Sequence, residues 1–209
     1  MPYSDKFTEA LAYATEAHKT QVRKGSQHTL PYVTHLLAVA ALVAEFGGDE
    51  TAVIAALLHD AVEDQGGMAR YWAIEAQFGQ EIAGIVLECS DATPGTREAK
   101  LPWRERKERY VAHAGEASPR AQLVSLCDKL HNATVTLRDL RRDGPKTFEN
   151  FRGKWEGMRW YWHGLLAVYV TLPDLDGEAI DAFDRVLGEI DNLMGVNGPD
   201  LAWEEGGQP

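Results

Sequence analysis

The sequence predicts an all-α protein, a single compact multi-helix bundle, on three observations. Apolar residues recur at three- and four-residue steps through most of the chain, whereas alternating strand patterns are scarce. Residues that favour helix N-termini precede several of these segments, and glycine or proline follows their ends. No internal repeat or low-complexity segment divides the 209 residues. We therefore assign residues 1–195 to one domain and residues 196–209 to a frayed C-terminal tail.

The first half of the chain is predicted to form five helices. Ser4 is a plausible N-cap for the first, and Asp49 for the third. Gly47 and the glycine after it stop the second helix, VTHLLAVAALVAEF, which is apolar almost throughout. The predicted segments span residues 5–18, 33–46, 51–64, 68–78 and 80–89.

The second half is predicted to form four helices after a long connection over residues 90–102. Ser118 followed by Pro119 fits an N-cap and a first helical position. An aromatic-rich segment beyond it ends at Pro173. The predicted segments span residues 103–114, 118–141, 148–172 and 176–194.

Charge and composition restrict the classes of partner. The formal net charge of −11 argues against a general nucleic-acid or anionic-membrane binder, because both need a broad basic surface. A small anionic molecule must then be met by a local basic pocket or a metal ion. The two cysteines lack a motif spacing, and the N-terminus lacks a signal-peptide pattern. We expect a cytoplasmic protein; its oligomeric state is not indicated.

Three carboxylates and a histidine crowd the end of the third predicted helix, in the stretch AALLHDAVEDQGG. At about 100° per residue, the four that share one arc of its last turns are His59, Asp60, Glu63 and Asp64. The preceding turns are apolar on every side, which is typical of a helix packed all round. Carboxylates on a buried helix repel one another and lose hydration, and a bound divalent cation removes that conflict.

Two other apolar helices offer further ligands. His35 lies near the start of one, and Asp128 is the one acid within AQLVSLCDKL. With His59 and Asp60 they supply two imidazoles and two carboxylates. This set suits Mn²⁺, Fe²⁺ or Zn²⁺ rather than Ca²⁺, and it leaves positions open for water and substrate.

Two pairs of charged residues accompany this ligand set. Glu63 and Asp64 fall one turn beyond it, where they can orient or deprotonate an attacking water. Arg23-Lys24 lies in a loop a dozen residues before His35. Arginine is suited to bidentate phosphate contact and to stacking on a purine.

The pattern His…His-Asp…Asp on an all-helical scaffold resembles the HD superfamily of metal-dependent phosphohydrolases. The stretches HTLPYVTHLLAVA, AALLHDAVEDQGG and SLCDKLHNA resemble the hydrolase domain of Rel/SpoT-type enzymes and the small stand-alone alarmone hydrolases. The resemblance covers roughly residues 5–170. It implies an HD-domain bundle that removes the 3′-pyrophosphate from guanosine tetra- or pentaphosphate, usually with Mn²⁺.

The resemblance also assigns roles by position. The residues that match the family's metal ligands are His35, His59, Asp60 and Asp128. The pair that matches the acids activating the attacking water is Glu63 and Asp64. The residues for which substrate contacts are implied are Arg23, Lys24, Asn132 and Tyr161.

Two positions depart from the family pattern. Trp103 stands where stand-alone members carry a phosphate-binding lysine, and His131 stands where some members have tyrosine. Two alternatives therefore stay open. One is an HD-type hydrolase of another nucleotide, an adenosine-type alarmone hydrolase or a nucleotidase. The other is a non-catalytic nucleotide-sensing module.

The basic segment WRERKERY allows two interpretations. Arg104 with Glu108, and Glu105 with Arg109, are spaced as i,i+4 ion pairs on an exposed helix. The functional alternative is a flap that delivers Arg104 or Lys107 to the phosphates of a substrate.

Overall fold

The computed structural model describes residues 3–23, 30–91 and 101–196, which form ten α-helices and one short 3-10 helix over Pro145–Asn150. The helices are α1 (Asp5–Ala17), α2 (Val33–Glu45), α3 (Glu50–Leu58), α4 (Ala61–Asp64), α5 (Met68–Phe78), α6 (Gln80–Glu88), α7 (Trp103–Ala114), α8 (Pro119–Asp143), α9 (Lys154–Tyr169) and α10 (Gly177–Leu193). An isolated antiparallel bridge joins Val22 to Pro31, and these residues form no strand. The predicted all-α class is confirmed.

Side-chain caps begin several helices where the sequence places them. Asp49 accepts from the Ala52 amide at 3.0 Å, and Ser118 caps α8 through the Ala121 amide at 3.4 Å. Ser4 departs from the expected pattern, because its amide and hydroxyl both donate to Glu50 at 2.6 and 2.7 Å. Ser4 thus ties the start of α1 to the start of α3 instead of capping its own helix.

Two hydrophobic cores share α8 as a common wall. The first surrounds α3, whose residues from Ala52 to Leu58 are all buried against neighbouring helices. The second lies between the C-terminal part of α8, α9 and α10. Cys127 belongs to the first core and its neighbour Leu126 to the second. The polar face of α8 is therefore held rigidly between two packed units.

The predicted helix over residues 51–64 is interrupted at His59-Asp60. α3 ends at Leu58, and α4 begins at Ala61 after Asp60 adopts a ψ of −4°. The His59 ring donates to the Ala56 carbonyl at 2.8 Å, a carbonyl that a continuing helix would use for a backbone amide. The prediction of one continuous helix was wrong at this point, because the histidine side chain competes for the backbone acceptor.

The predicted helix over residues 148–172 is also shorter than expected. Its first part forms the 3-10 helix, and α9 begins only at Lys154, which has a left-handed φ of 51°. The preceding Gly153 lies against Trp103, and an added Cβ would come within 2.5 Å of that indole ring. Close approach of Trp103 therefore needs glycine here and joins α7 to the start of α9.

Some predictions fall on residues outside the described ranges. They concern Lys24, most of the 90–102 connection and the tail from residue 197 onwards. Among the described helices, none has both the length and the apolar character needed to cross a membrane. The cytoplasmic location stays a prediction.

Candidate metal centre and active-site cleft

An active-site cleft of about 330 Å³ opens beside α8. Asp60 and Asp128 line the part that we call the metal end, and Asn132 lies one turn further along α8. Asp139, three helical turns along α8 from Asp128, and Thr147 of the 3-10 helix line the cleft as well. A volume of this size suits a small organic ligand.

The four predicted metal ligands meet at the metal end, although three separate segments supply them. His35 Nε2 lies 3.1 Å from Asp128 Oδ1 and 3.6 Å from Asp60 Oδ2. His59 Nε2 lies 3.1 Å from Asp60 Oδ2 and 3.7 Å from Asp128 Oδ1. Two imidazole nitrogens thus face two carboxylate oxygens around a common point. His35, His59 and Asp128 form a group able to hold a metal ion.

Contacts on the other side of each ring orient the two histidines. His59 Nδ1 contacts the Ala56 carbonyl at 2.8 Å, and His35 Nδ1 contacts His131 Nδ1 at 2.8 Å. Both Nε2 atoms are buried and lack a hydrogen-bond partner among the described residues. Rings held through Nδ1 with Nε2 left for another group are typical of metal ligands. The donor set therefore fits a divalent ion.

The electrostatic environment favours positive charge at the metal end. Burial disfavours charge on the His59 ring, but the carboxylates of Asp60 and Asp128 raise its pKa well above the ordinary value. Burial also opposes ionisation of both carboxylates. His59 nevertheless lowers the pKa of Asp60, and Lys129 lowers that of Asp128. Burial lowers the pKa of His35, which favours the neutral ring that a metal ligand requires.

Neighbouring side chains hold the two carboxylates in place. Tyr32 donates its hydroxyl to Asp60 Oδ2 at 2.6 Å. Asp128 accepts from Lys129 and from Asn132, each at 2.5 Å. Tyr32 and Lys129 were not among the predicted site residues. Lys129 could have been recognised because it directly follows Asp128 in the stretch SLCDKLHNA, whereas nothing in the sequence marks Tyr32.

Glu63 and Asp64 both line the cleft beside this centre. Burial and the nearby Asp91 carboxylate raise the pKa of Glu63 to about 8, and Glu63 accepts from the Asp91 amide at 3.2 Å. A carboxyl that titrates near neutral pH can both take up and return a proton. Asp64 is more exposed and accepts from Gln21 at 2.7 Å.

Three of the predicted substrate contacts line the same cleft, while Lys24 lies outside the described residues. Arg23 donates to Asn132 at 2.7 Å, and its guanidinium lies 5.6 Å from the centre of the Tyr32 ring. Tyr161 is 3% exposed, and its hydroxyl lacks a partner among the described residues. Arg23, Asn132 and Tyr161 therefore all lie on the wall of the cleft that contains the metal end.

The basic helix α7 contributes Lys107 to the cleft, not Arg104. Arg104 pairs with Glu108 at 2.7 Å and lies 3.5 Å from the centre of the Trp160 ring. Lys107 contacts Asp91 at 2.6 Å and lies 4.6 Å above the Tyr161 ring. The two predicted i,i+4 ion pairs are confirmed, since Arg109 meets Glu105 at 2.8 Å.

The two departures from the family pattern have different surroundings. Trp103 lines the cleft and packs over Gly153, with its ring centre 6.3 Å from that of Tyr161. An apolar indole ring therefore lines the cleft at the position where the family pattern has a lysine, one helical turn before Lys107. His131 contacts the candidate ligand His35 from outside the cluster.

Comparison with known proteins identifies the family. An HD-domain model matches residues 10–154, more than half of the chain. The chain belongs to the HD-domain family, whose metal-dependent members carry a divalent ion, and the His35–His59–Asp128 group is a possible site for it.

The similar proteins include nucleotide hydrolases. The chain is 42% identical over 146 residues to guanosine-3′,5′-bis(diphosphate) 3′-pyrophosphohydrolase MESH1 of Xenopus tropicalis, covering 69% of this chain and 74% of that protein. It is 37% identical to the human MESH1 with the same coverage. The bifunctional (p)ppGpp synthase/hydrolase SpoT of Escherichia coli is 35% identical over 144 residues, which are 66% of this chain and 19% of SpoT.

The fold agrees with these sequence similarities. A solved metazoan orthologue of SpoT, described as hydrolysing ppGpp, superposes with a TM-score of 0.74 and 28% identity. The match covers 91% of this chain and 98% of that one.

Proposed function

We propose that this protein is a metal-dependent phosphohydrolase that removes the 3′-pyrophosphate from guanosine tetra- and pentaphosphate. One observation supports this most strongly. In a chain that belongs to the HD-domain family and is similar to MESH1, His35, His59, Asp60 and Asp128 meet at one end of a nucleotide-sized cleft. The substrate is a small nucleotide, which agrees with the acidic net charge of −11.

The four residues at the metal end would hold the divalent ion through two imidazoles and two carboxylates. This donor set suits Mn²⁺, Fe²⁺ or Zn²⁺, and the resemblance to alarmone hydrolases implies Mn²⁺ among them. When bound, the ion supplies Lewis-acid stabilisation of phosphate charge and helps to ionise water. Tyr32 and Lys129 keep the two carboxylates oriented toward the site.

Glu63 and Asp64 deprotonate and orient the attacking water. Glu63, in its ionised form, accepts the proton as the water oxygen bonds to the phosphorus attached to the ribose 3′-oxygen. The bond between that phosphorus and the 3′-oxygen breaks, pyrophosphate leaves, and the 3′-oxygen takes up a proton. Asp64, fixed by Gln21, orients the water for in-line attack.

Cations and hydrogen-bonding groups along the cleft bind the rest of the nucleotide. Lys107 and Lys129 lie within the cleft wall beside the metal end, where they compensate phosphate charge. Arg23 is held by Asn132 in an orientation that allows contact with a phosphate or the sugar. Tyr161 offers its hydroxyl from the opposite wall.

Hydrolysis assays with Mn²⁺ test the proposal. Purified protein should convert guanosine tetraphosphate to guanosine diphosphate and pyrophosphate, and EDTA should abolish the reaction until Mn²⁺ is restored. Asp64→Ala should reduce kcat by about 10²-fold or more while leaving the metal content unchanged.

Three outcomes would contradict the proposal in different ways. Faster hydrolysis of an adenosine counterpart or of a simple nucleotide would indicate another HD-type hydrolase. Binding without hydrolysis of any nucleotide would indicate a sensing module. Unchanged turnover in Asp64→Ala would remove the role given to that residue.

A further inference from the structure

His18 is buried at the end of α1, and neither the metal end nor the proposed reaction uses its ring. The residue is 2% exposed and directly follows Ala17, the last residue of that helix. Its Nδ1 lies 2.7 Å from Gln21 Oε1, whereas its Nε2 has no hydrogen-bond partner among the described residues. Burying a polar ring with one unsatisfied nitrogen costs free energy, which indicates a functional role for this position.

The first contact of the His18 ring determines how the Gln21 amide is oriented. Gln21 Nε2 donates to Asp64 Oδ2 at 2.7 Å, and an ionised carboxylate only accepts hydrogen bonds. The amide oxygen of Gln21 therefore faces His18, whose Nδ1 must carry the proton that it donates. Gln65 Nε2 donates to the same oxygen, so both of its acceptor sites are used. His18 thus keeps the donor end of the Gln21 amide on Asp64.

The second contact of the ring is a stack on Tyr32. The two ring centres lie 5.1 Å apart, with an angle of 17° between the planes. Tyr32 in turn touches two of the proposed metal ligands. Its hydroxyl donates to Asp60 Oδ2 at 2.6 Å, and its ring centre lies 5.5 Å from that of His35. Stacking on His18 fixes the plane of the Tyr32 ring and hence the direction of its hydroxyl.

Backbone hydrogen bonds join the two contacts. The Gln21 amide donates to the His18 carbonyl at 2.9 Å, and the Tyr32 amide donates to the Gln21 carbonyl at 3.0 Å. His18, Gln21 and Tyr32 therefore form one connected unit beside the metal end. A displacement of the His18 ring would reach Asp60 and Asp64 together.

We infer that His18 is a positioning residue that holds two acids of the site through separate contacts, an inference that rests on the proposed function. The first contact holds Asp64 through Gln21, and with it the attacking water. The second contact holds Asp60 through Tyr32, and with it the metal ion. The first needs the proton on Nδ1, whereas the second needs a flat ring. The two contacts can therefore be removed one at a time.

His18→Phe removes the Nδ1 proton and keeps a flat ring over Tyr32. The Gln21 oxygen then loses one of its two donors and keeps Gln65, so we expect kcat to fall about 10-fold. KM and the dissociation constant of Mn²⁺, measured by calorimetry, should stay within about twofold of the wild-type values. An unchanged kcat in this variant would overturn the contact through Gln21.

His18→Asn removes the ring and keeps a donor, because its side-chain amide nitrogen can take the place of Nδ1. Tyr32 loses its stacking partner, so Mn²⁺ should bind about 10-fold more weakly, while kcat at saturating Mn²⁺ stays near the wild-type value. Calorimetry with Mn²⁺ alone measures this loss without turnover. If His18→Asn and His18→Phe lost kcat and Mn²⁺ affinity equally, the ring would only fill space and the inference would be refuted.

A double-mutant cycle tests whether His18 acts through Gln21. Gln21→Ala should lower kcat at least as much as His18→Phe does. The combined variant should be no slower than Gln21→Ala, because the connection to Asp64 is already broken. Effects that multiply in the combined variant would contradict the connection.

His163→Phe is the matched control for lost stability. His163 contacts Asp191 at 3.1 Å and does not line the cleft. The same substitution there should lower the melting temperature and leave kcat and Mn²⁺ affinity unchanged. A fall in kcat equal to that in His18→Phe would attribute both effects to destabilisation and contradict a positioning role.

The protonation of the His18 ring gives a test that does not depend on the proposed function. Burial lowers the pKa of His18 and favours the neutral ring. Nitrogen NMR of the histidine rings should find its proton on Nδ1, and a proton on Nε2 would overturn the inference.

Failure of the proposed function gives a different result from failure of this inference. A protein with the Nδ1 proton that loses Mn²⁺ affinity in His18→Asn alone, but hydrolyses no 3′-pyrophosphorylated nucleotide, would retain the positioning role and lose the hydrolase assignment. An active hydrolase in which His18→Phe and His18→Asn both match the wild type would retain the proposed function and exclude the role of His18.

Discussion

Two buried clusters of charge in this protein each combine histidine with aspartate, and they differ in how the charge of the aspartate is balanced. The metal-end cluster contains His35, His59, Asp60 and Asp128. The second, which we call the closed cluster, joins Arg159 and His163 of α9 to Asp191 of α10.

The closed cluster satisfies its carboxylate internally. Arg159 contacts both oxygens of Asp191, at 3.0 and 3.1 Å, and His163 contacts Oδ2 at 3.1 Å. At the metal end, two buried imidazole Nε2 atoms face two carboxylates and lack a hydrogen-bond partner among the described residues. A buried cluster that its own residues neutralise stabilises packing, whereas one that is incomplete indicates a ligand.

Asp60→Asn should disrupt the metal-end cluster with the largest effect on function. The variant loses one anionic ligand but keeps an oxygen that accepts from Tyr32. We expect turnover to fall about 10³-fold and metal content to drop, because the divalent ion loses charge compensation. Kinetics together with metal analysis checks this. The melting temperature without added metal should change less than in Asp191→Asn, and an active, metal-loaded variant would refute the ligand assignment.

Asp191→Asn should show the opposite pattern by disrupting the closed cluster. Removing the carboxylate takes away the counter-charge that Asp191 supplies to buried Arg159, so the free energy of unfolding should fall by about 3 kcal/mol. Denaturant unfolding measures this loss, and kcat below the melting transition should stay near the wild-type value. Asp184→Asn is the matched control, because Asp184 is exposed on the same helix.

The stabilisation by Asp191 should also depend on pH. Burial opposes its ionisation, but His163 and Arg159 lower its pKa below the ordinary value. A carboxyl with a lowered pKa stabilises the fold above the pKa of the unfolded chain, about 3.9, and loses that contribution as the pH falls further. The difference between wild type and Asp191→Asn should thus be full at pH 7 and shrink below about pH 4. A difference that did not vary with pH would mean that packing, not charge, explains it.

Glu63→Gln offers the smallest and most specific test at the metal end. We expect kcat to fall about 10²-fold with metal content unchanged, because the variant cannot accept a proton. In the wild type, kcat should rise with pH as Glu63 loses its proton. The pH midpoint of this rise should lie below about 8, the pKa of Glu63 without a metal ion, because a bound cation lowers that pKa. A rise that persists in Glu63→Gln would assign the ionisation to another group.

Much of this protein could be predicted from local sequence patterns. Helical period and end signals predicted the positions of nearly all helices, and Asp49 and Ser118 cap as expected. Errors arose where tertiary contacts override these signals. The His59 ring occupies a backbone carbonyl and thereby divides the third predicted helix into α3 and α4. Trp103 packs against Gly153, a residue inside the segment 148–172 that was predicted to be one continuous helix.

The sequence by itself determined that histidines and acids lie inside apolar helices, where burial conflicts with their charge unless they share a cation. It also determined the all-α class, since helical period is a local property of the chain. Only the tertiary structure decided which further side chains line the cleft beside these histidines and acids. Tyr32 reaches the cleft from a separate segment, Lys107 lines it whereas Arg104 does not, and Asp139 faces it from the end of α8. Such neighbours depend on how the helices pack, and a linear pattern of residues does not encode the distances between side chains of separate helices.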